Sequence, residues 1–301
     1  MEKWKGYLYL LGGFSLAGTS VIAARLLTPS LGTFTITAAS LGIALVGMLP
    51  LVWRRLGPSL DNLSRRQALA LVFQAACGIF LFRMFLIQGL LRTSAGEAGI
   101  LTGATPAFTA LLAAVALREP LRPRRALGIA STVAGILCLQ GLFSPGSGLS
   151  GQHAWGNGLV LCAALCESSF NVISRYSSLN SASDPGQSLS PDVQTWMVAA
   201  LAFCLCLPPA WLGEAPLPAL VALGTGEWLA LVWYGLFVTA LAFVFFYAGI
   251  RRCPASTAAV FSGMMPFTAL VLSIWVLGES AGLPQWLGGG LVVLGMLLTG
   301  E

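Results

Sequence analysis

Two ionisable side chains stand inside long apolar runs of this chain, Arg83 in one and Glu167 in another. An ionisable group near the middle of a bilayer costs roughly 3 kcal/mol or more, so each is a candidate for function. Glu167 is followed by Asn171 at four residues and Ser174 at seven, which puts all three on one face of a helix. Such a stripe needs water or a partner. If both charges face a cavity, Arg83 offers a forked guanidinium to a carboxylate, and Glu167 meets an ammonium group or takes up a proton. That combination suits a zwitterion. The same two residues also admit a purely structural reading, a buried Glu167 to Arg83 ion pair that only ties helices together. A cationic cargo would need Glu167 and aromatic walls, for which Trp233, Tyr234, Tyr247, Phe261 and Phe267 are available. Each ring could equally face lipid. Tyr234 is the preferred lining residue because a hydroxyl at membrane depth needs a partner.

Pro106 and Pro266 fall in the middle of two further apolar runs, where each removes a backbone hydrogen bond and is expected to kink its helix. Thr102 and Thr105 precede the first and Ser262 the second. Glu97, beside Arg92, reads as a solvated charge at the positive end of a helix, and Glu119 and Glu279 as helix-start caps. His153 has no histidine partner and no HExxH context. The seven cysteines show no CxxC spacing and read as small buried hydrophobes. Neither a metal, a cofactor nor a disulfide is expected.

The elements that must position these residues follow from composition. Of 301 residues, 56% are hydrophobic and 9% charged, and the mean hydropathy is +0.83, against the roughly 25% charged typical of soluble domains. Apolar runs of about 20 residues, each long enough to cross a bilayer as a helix, lie near 5–24, 31–53, 67–91, 94–117, 124–143, 154–175, 193–212, 227–250, 254–277 and 284–300. This predicts an all-α membrane protein with ten transmembrane helices. With the N-terminus in the cytoplasm, Lys3, Lys5, Arg54, Arg55, Arg65, Arg66, Arg118, Arg122, Arg124, Arg125, Arg175, Arg251 and Arg252 all fall inside, and only Arg25 and Arg92 outside. That asymmetry predicts both termini in the cytoplasm. The basic residues answer to membrane orientation, so the formal charge of +5 does not point to nucleic acid. The Ser/Asp/Pro/Gly-rich stretch from Ser177 to Asp192 reads as a flexible link.

The chain also repeats itself. Ser94 to Gln140 aligns without gaps on Pro254 to Gly300 at an offset of 160, matching Ala95 with Ala255, Gly103 with Gly263, Pro106 with Pro266, Glu119 with Glu279, Gly128 with Gly288 and Gly135 with Gly295. A weaker echo matches Trp4 with Trp155 and Val21 with Val172. Two five-span copies, 1–146 and 147–301, are expected, and because five is odd the second must enter the membrane from the opposite side. The arginines of the first copy's Arg118 to Arg125 link vanish from the second copy's Gly278 to Gln285 link while the glutamate persists.

Ten spans in two inverted halves, each with a proline-bearing fourth helix and a Glu turn (Leu117-Arg118-Glu119; Leu277-Gly278-Glu279), together with Arg92-Thr93-Ser94-Ala95-Gly96, resemble the EamA-type drug/metabolite transporters. The resemblance implies a multi-pass protein of the cell inner membrane, with the first four helices of each half around a central cavity lined by spans 1, 3, 4, 6, 8 and 9. It also implies a secondary transporter rather than an enzyme: an exporter of small, amino-acid-like zwitterions by alternating access, with proton coupling through Glu167, or alternatively a multidrug or organic-cation efflux protein. A channel fits less well because Glu167 and Arg83 do not form a ring. The substrate-binding set is then Glu167, Arg83, Asn171, Tyr234, Thr105 and Trp233, with helix kinks at Pro106 and Pro266. The partners are a small-molecule substrate and the lipid bilayer, not nucleic acid, and a homodimer is left open.

Overall fold

The structure is a computed structural model that describes residues 2–61, 63–116, 123–139, 151–182, 189–252, 261 and 264–299. All regular elements among them are helical. They are α1 (Glu2–Gly18), α2 (Ser20–Leu27), α3 (Thr33–Asp61), α4 (Arg65–Ala75), the π-helical turn π1 (Ala76–Leu81), α5 (Phe82–Leu90), α6 (Ala95–Thr102), α7 (Thr105–Ala116), α8 (Pro123–Leu139) and α9 (Gly151–Ala182). Then follow α10 (Pro191–Gly213), α11 (Pro216–Val221), α12 (Thr225–Val232), π2 (Trp233–Leu241), α13 (Ala242–Ile250), α14 (Met264–Leu277) and α15 (Leu283–Thr299). Among the described residues six helical stretches are long and apolar enough to cross a membrane, Trp4–Leu27, Thr33–Asp61, Arg65–Leu90, His153–Ser174, Pro191–Gly213 and Thr225–Ile250, and Met264–Leu277 is a shorter apolar one. Large apolar side chains such as Trp275, 83% exposed, and Leu212 cover the outside of the bundle. In water that surface would drive aggregation; against lipid it needs no cover.

Local chemistry sets the helix ends. Ser64 and Gln67 form a reciprocal capping box at the start of α4, Ser94 accepts the Glu97 amide at the start of α6 at 3.2 Å, and Pro191 opens α10, where its missing N–H is no loss. Four predicted spans are less regular than their hydropathy suggests. The first breaks at Thr19, whose hydroxyl turns back to the Leu16 carbonyl at 2.7 Å. The third and eighth each contain a π-helical segment, and such bulges occur often at functional sites. The fourth breaks at Gly103 and Ala104, so Pro106 stands at the second position of α7 rather than inside a continuous helix. The predicted link from Ser177 begins as helix, because α9 runs on to Ala182. Leu117, Arg118, Glu119, Gln140, Cys253, Ala255, Ala258, Ser262 and Gly263 lie outside the described residues.

The closest helix partnerships join equivalent parts of the two copies. α8 packs on α15, α3 on α10 and α6 on α14, while α1 lies along α13 as α5 lies along α9. This is the pattern a two-fold relation between the copies produces. At the α8–α15 contact a Cβ added to Gly135 would lie 2.7 Å from the Gly288 carbonyl oxygen, and one added to Gly295 2.6 Å from that of Gly128. The four matched glycines of the sequence repeat thus meet as two crossed pairs, and the helices touch backbone to backbone.

Candidate functional site

Arg83 sits in the first turn of α5, just beyond π1, and is 3% exposed. Its Nη1 donates to Ser40 Oγ at 2.8 Å and its Nη2 to Thr239 Oγ1, while its Cζ lies 4.3 Å from the centre of the Tyr234 ring. The hydroxyl protons are used elsewhere: Ser40 donates to the Thr37 carbonyl at 3.0 Å and Thr239 to the Tyr234 carbonyl at 2.8 Å. The second of these spans five residues, the spacing of the π-helix. Both oxygens therefore turn lone pairs to the guanidinium. No carboxylate of the described residues pairs with Arg83. Its charge is solvated by two hydroxyls and a ring face, and only two of the five donors in its fork are taken. The Tyr234 hydroxyl is buried and without a hydrogen bond.

Glu167 lies on α9 and meets Thr105 Oγ1 at 2.9 Å, at the start of α7 beyond the Gly103–Ala104 break. Thr105 Oγ1 also stands 2.8 Å from the Thr102 carbonyl. One hydroxyl proton cannot serve both. Either Thr105 donates to an ionised Glu167, or a protonated Glu167 donates to Thr105 while Thr105 donates to Thr102. The contact is available in both protonation states, which suits a residue that gains and loses a proton. Ser168, next on α9, lies 2.8 Å from the Thr105 carbonyl and closes the same junction.

The structure therefore separates the two charges into two clusters, Arg83 with Ser40, Thr239 and Tyr234, and Glu167 with Thr105. The structural ion pair between them is not formed. Asn171 follows Glu167 by one turn on α9 and is half-buried. Trp233 is turned to other neighbours: it donates to Thr19 Oγ1 at 2.8 Å and stacks on Phe237 at 4.4 Å. Pro266 is buried at the third position of α14. Ser40 and Thr239 went unremarked in the sequence, since hydroxyl residues in apolar helices commonly bond their own backbone.

At the arginine-poor end of the bundle the expectation for Glu97 is overturned. It is 6% exposed, not solvated. Its Oε2 lies 2.5 Å from His153 Nε2, 3.1 Å from Thr93 Oγ1 and 3.4 Å from Asn157 Nδ2, and Gln285 donates to Oε1 at 3.0 Å. Four side chains from three parts of the chain converge on one carboxylate. Glu279 lies beside it, as a cap for another helix rather than its own: it accepts the Ala95 and Gly96 amides of α6, each at 2.9 Å. Gly278, at φ 67°, makes the left-handed turn that aims it there. Glu214 does the same for α3, accepting the amides of Phe34 and Thr35 at 3.1 and 2.7 Å. Glu97→Leu would strand the donors in a buried pocket, so a loss of about 3 kcal/mol or more of stability is expected. Thermal unfolding in detergent reads it, with Glu97→Gln losing less; equal melting of Glu97→Leu and the parent would remove the network from the stability of this end.

Comparison with known proteins gives this geometry a setting. The chain matches the EamA-like transporter family over residues 4–140 and again over 154–300. It is 28% identical over 303 residues to the uncharacterized transporter YetK of Bacillus subtilis, covering 99% of this chain and 87% of that one. It is 27% identical over 229 residues to a probable terminal-alkyne amino-acid exporter of Streptantibioticus cattleyicolor, covering 74% of this chain and 70% of that one. A crystal structure at 21% identity superposes with a TM-score of 0.68 over 97% of this chain and 95% of its own, which shows a shared fold. With a family match across nearly its whole length, once in each half, the chain belongs to the EamA-like transporter family, as a multi-pass membrane transporter and not an enzyme.

Proposed function

We propose that this transporter is a secondary active exporter of small, zwitterionic, amino-acid-like metabolites, working by alternating access between two inverted five-helix halves, 1–146 and 147–301. In this reading ten spans cross the cell inner membrane with both termini in the cytoplasm, and the arginine-poor end faces out. The observation that carries the cargo class is the buried Arg83 guanidinium with no carboxylate partner among the described residues. A carboxylate from the cargo supplies the missing counter-charge through a bidentate contact, and the Tyr234 hydroxyl can donate beside it. Glu167 serves the ammonium group or takes the coupling proton. An uncompensated guanidinium at this depth repels an organic cation, which weighs against drug efflux. The exporter from Streptantibioticus, whose name specifies an amino acid, supports the same class.

The test is thermal stabilisation of the purified protein by a panel of L-amino acids, organic cations, nucleobases and sugar phosphates. A ligand at 100 times its Kd adds about 2.7 kcal/mol of apparent stability by mass action. Hits among zwitterions are the expected result, and hits confined to hydrophobic cations would replace this reading with drug efflux. In proteoliposomes Glu167→Gln is expected to abolish flux driven by a pH gradient while leaving exchange of unlabelled for labelled amino acid. Undiminished pH-driven flux would remove Glu167 from the coupling role.

A further inference from the structure

The repeat extends into the third and eighth spans. Leu69-Ala70-Leu71-Val72 reappears as Leu229-Ala230-Leu231-Val232, and Gly89 and Arg92 as Gly249 and Arg252, all at the offset of 160. In this register the π-helical stretch Ala76–Leu81 falls on 236–241, inside π2. Gln74 falls on Tyr234. The side chain that flanks Arg83 in one half of the bundle thus has a counterpart in the other half, two residues before its own π-helical turn.

Gln74 is fully buried at the centre of a second polar cluster. Its Oε1 accepts from the Tyr247 hydroxyl and from Gln194 Nε2, each at 3.1 Å. Its Nε2 is left without a partner, matching the orphaned hydroxyl of Tyr234 in the other half, and the buried Ser174 hydroxyl lies against that of Tyr247. Turning the amide over would leave its oxygen alone instead, so one end of Gln74 is unused in either orientation. Ser174 is the last member of the polar stripe that begins at Glu167 and passes through Asn171 on α9. The stripe therefore runs from the Thr105 junction to this cluster. Phe170 lies alongside, 6.4 Å from the Tyr247 ring and 5.8 Å from that of Phe243. It presses on the bare Cα of Gly78 in π1, where a Cβ would collide with its ring.

We propose that Gln74, with Tyr247 and Ser174, forms a second binding subsite in the arginine-rich half, which takes the carboxylate of the same cargo before it reaches Arg83. The free amide N–H of Gln74 and the Ser174 hydroxyl offer donors to an anionic or carbonyl oxygen, with the Tyr247 hydroxyl holding the Gln74 amide in place, and the cluster itself carries no positive charge. Binding here is weaker than at a guanidinium, as a transit position requires. The π-helical turns next to both subsites supply locally loosened backbone at the two places where the cargo must be handed on. This subsite rests on the amino-acid reading given above.

The experiment uses L-propargylglycine, a terminal-alkyne amino acid detectable by azide coupling, with the full-length protein in proteoliposomes of defined orientation. Gln74→Leu and Tyr247→Phe are each expected to raise the half-saturating concentration from the arginine-rich face by about fivefold, the loss of one uncharged hydrogen bond, to the ligand in the first and to the Gln74 amide that receives it in the second. The value from the arginine-poor face should stay within about twofold, within the scatter of a contact not made there. An equal change on both faces, or none on either, would overturn the subsite while leaving the exporter reading intact. No saturable flux in the parent protein would overturn the amino-acid reading and the subsite with it. If Gln74→Leu fails to fold, Tyr247→Phe alone decides, since it removes only one oxygen from a ring whose packing is unchanged.

Discussion

Arg83→Met is expected to abolish saturable transport of amino acids while leaving the protein at least as stable as the parent. The two effects separate because they have different origins. In the absence of cargo Arg83 is a buried cation satisfied, among the described residues, by Ser40, Thr239 and the face of Tyr234. Removing it leaves two hydroxyls that keep their own backbone hydrogen bonds. It also removes the desolvation cost of a charge, which replacement by an apolar side chain of similar volume commonly recovers. Binding loses the forked contact to the cargo carboxylate. Two hydrogen bonds to charged groups contribute about 1.5 to 3 kcal/mol each, so affinity should fall by a factor of about 100 or more. Arg83→Lys keeps the charge but not the fork, and an intermediate loss, confined to carboxylate-bearing substrates, is expected. Melting temperature and flux measured on the same preparations check both halves of this prediction. A large fall in melting temperature for Arg83→Met, with flux lost only in proportion, would make Arg83 a structural tie.

The second large effect is on stability. Gly135→Val and Gly295→Val should each destabilise the bundle by several kcal/mol, because the added atoms meet backbone that cannot turn aside, with the Val292 side chain at the first site and the Thr132 hydroxyl at the second crowding them further. A Cβ at position 135 would stand 2.7 Å from the Gly288 carbonyl oxygen and one at 295 2.6 Å from that of Gly128. Relief requires α8 and α15 to move apart along their whole contact. Overpacking where side chains can adjust costs about 1 to 3 kcal/mol, and a rigid backbone neighbour sets the expectation at or above the top of that range. The two variants should lose similar amounts, since the sites are copies of one another. Unfolding in detergent, followed by temperature at fixed lipid, measures this. Clear tolerance at one site and not the other would show that the two contacts are not equivalent.

Several features of the molecule needed no coordinates. Long apolar runs require helices in a bilayer, where no water satisfies an exposed backbone, so the all-helical membrane fold follows from composition. The offset of 160 that pairs Gly128 with Gly288 and Gly135 with Gly295 exposes the duplication, and the rarity of charge inside the runs singles out Arg83 and Glu167. Tyr234 was legible as a hydroxyl that would need a partner.

Tertiary structure alone decided what these residues touch. Equal spacing shows that Gly135 and Gly295 are counterparts, but only packing makes Gly135 meet Gly288 and Gly295 meet Gly128. Hydropathy averages over a run and cannot register the extra residue of a π-helical turn or the break at Gly103, yet those irregularities bring Thr239 to Arg83 and Thr105 to Glu167. Whether Arg83 and Glu167 paired with each other was undecidable from sequence, because both lie at membrane depth on neighbouring spans. Glu97 was misread for a related reason. Its environment is made by His153 and Gln285, 56 and 188 residues away in the chain. A pattern confined to one helix sees the charge and its position along the axis, and the partners that bury it arrive only when distant helices close around it.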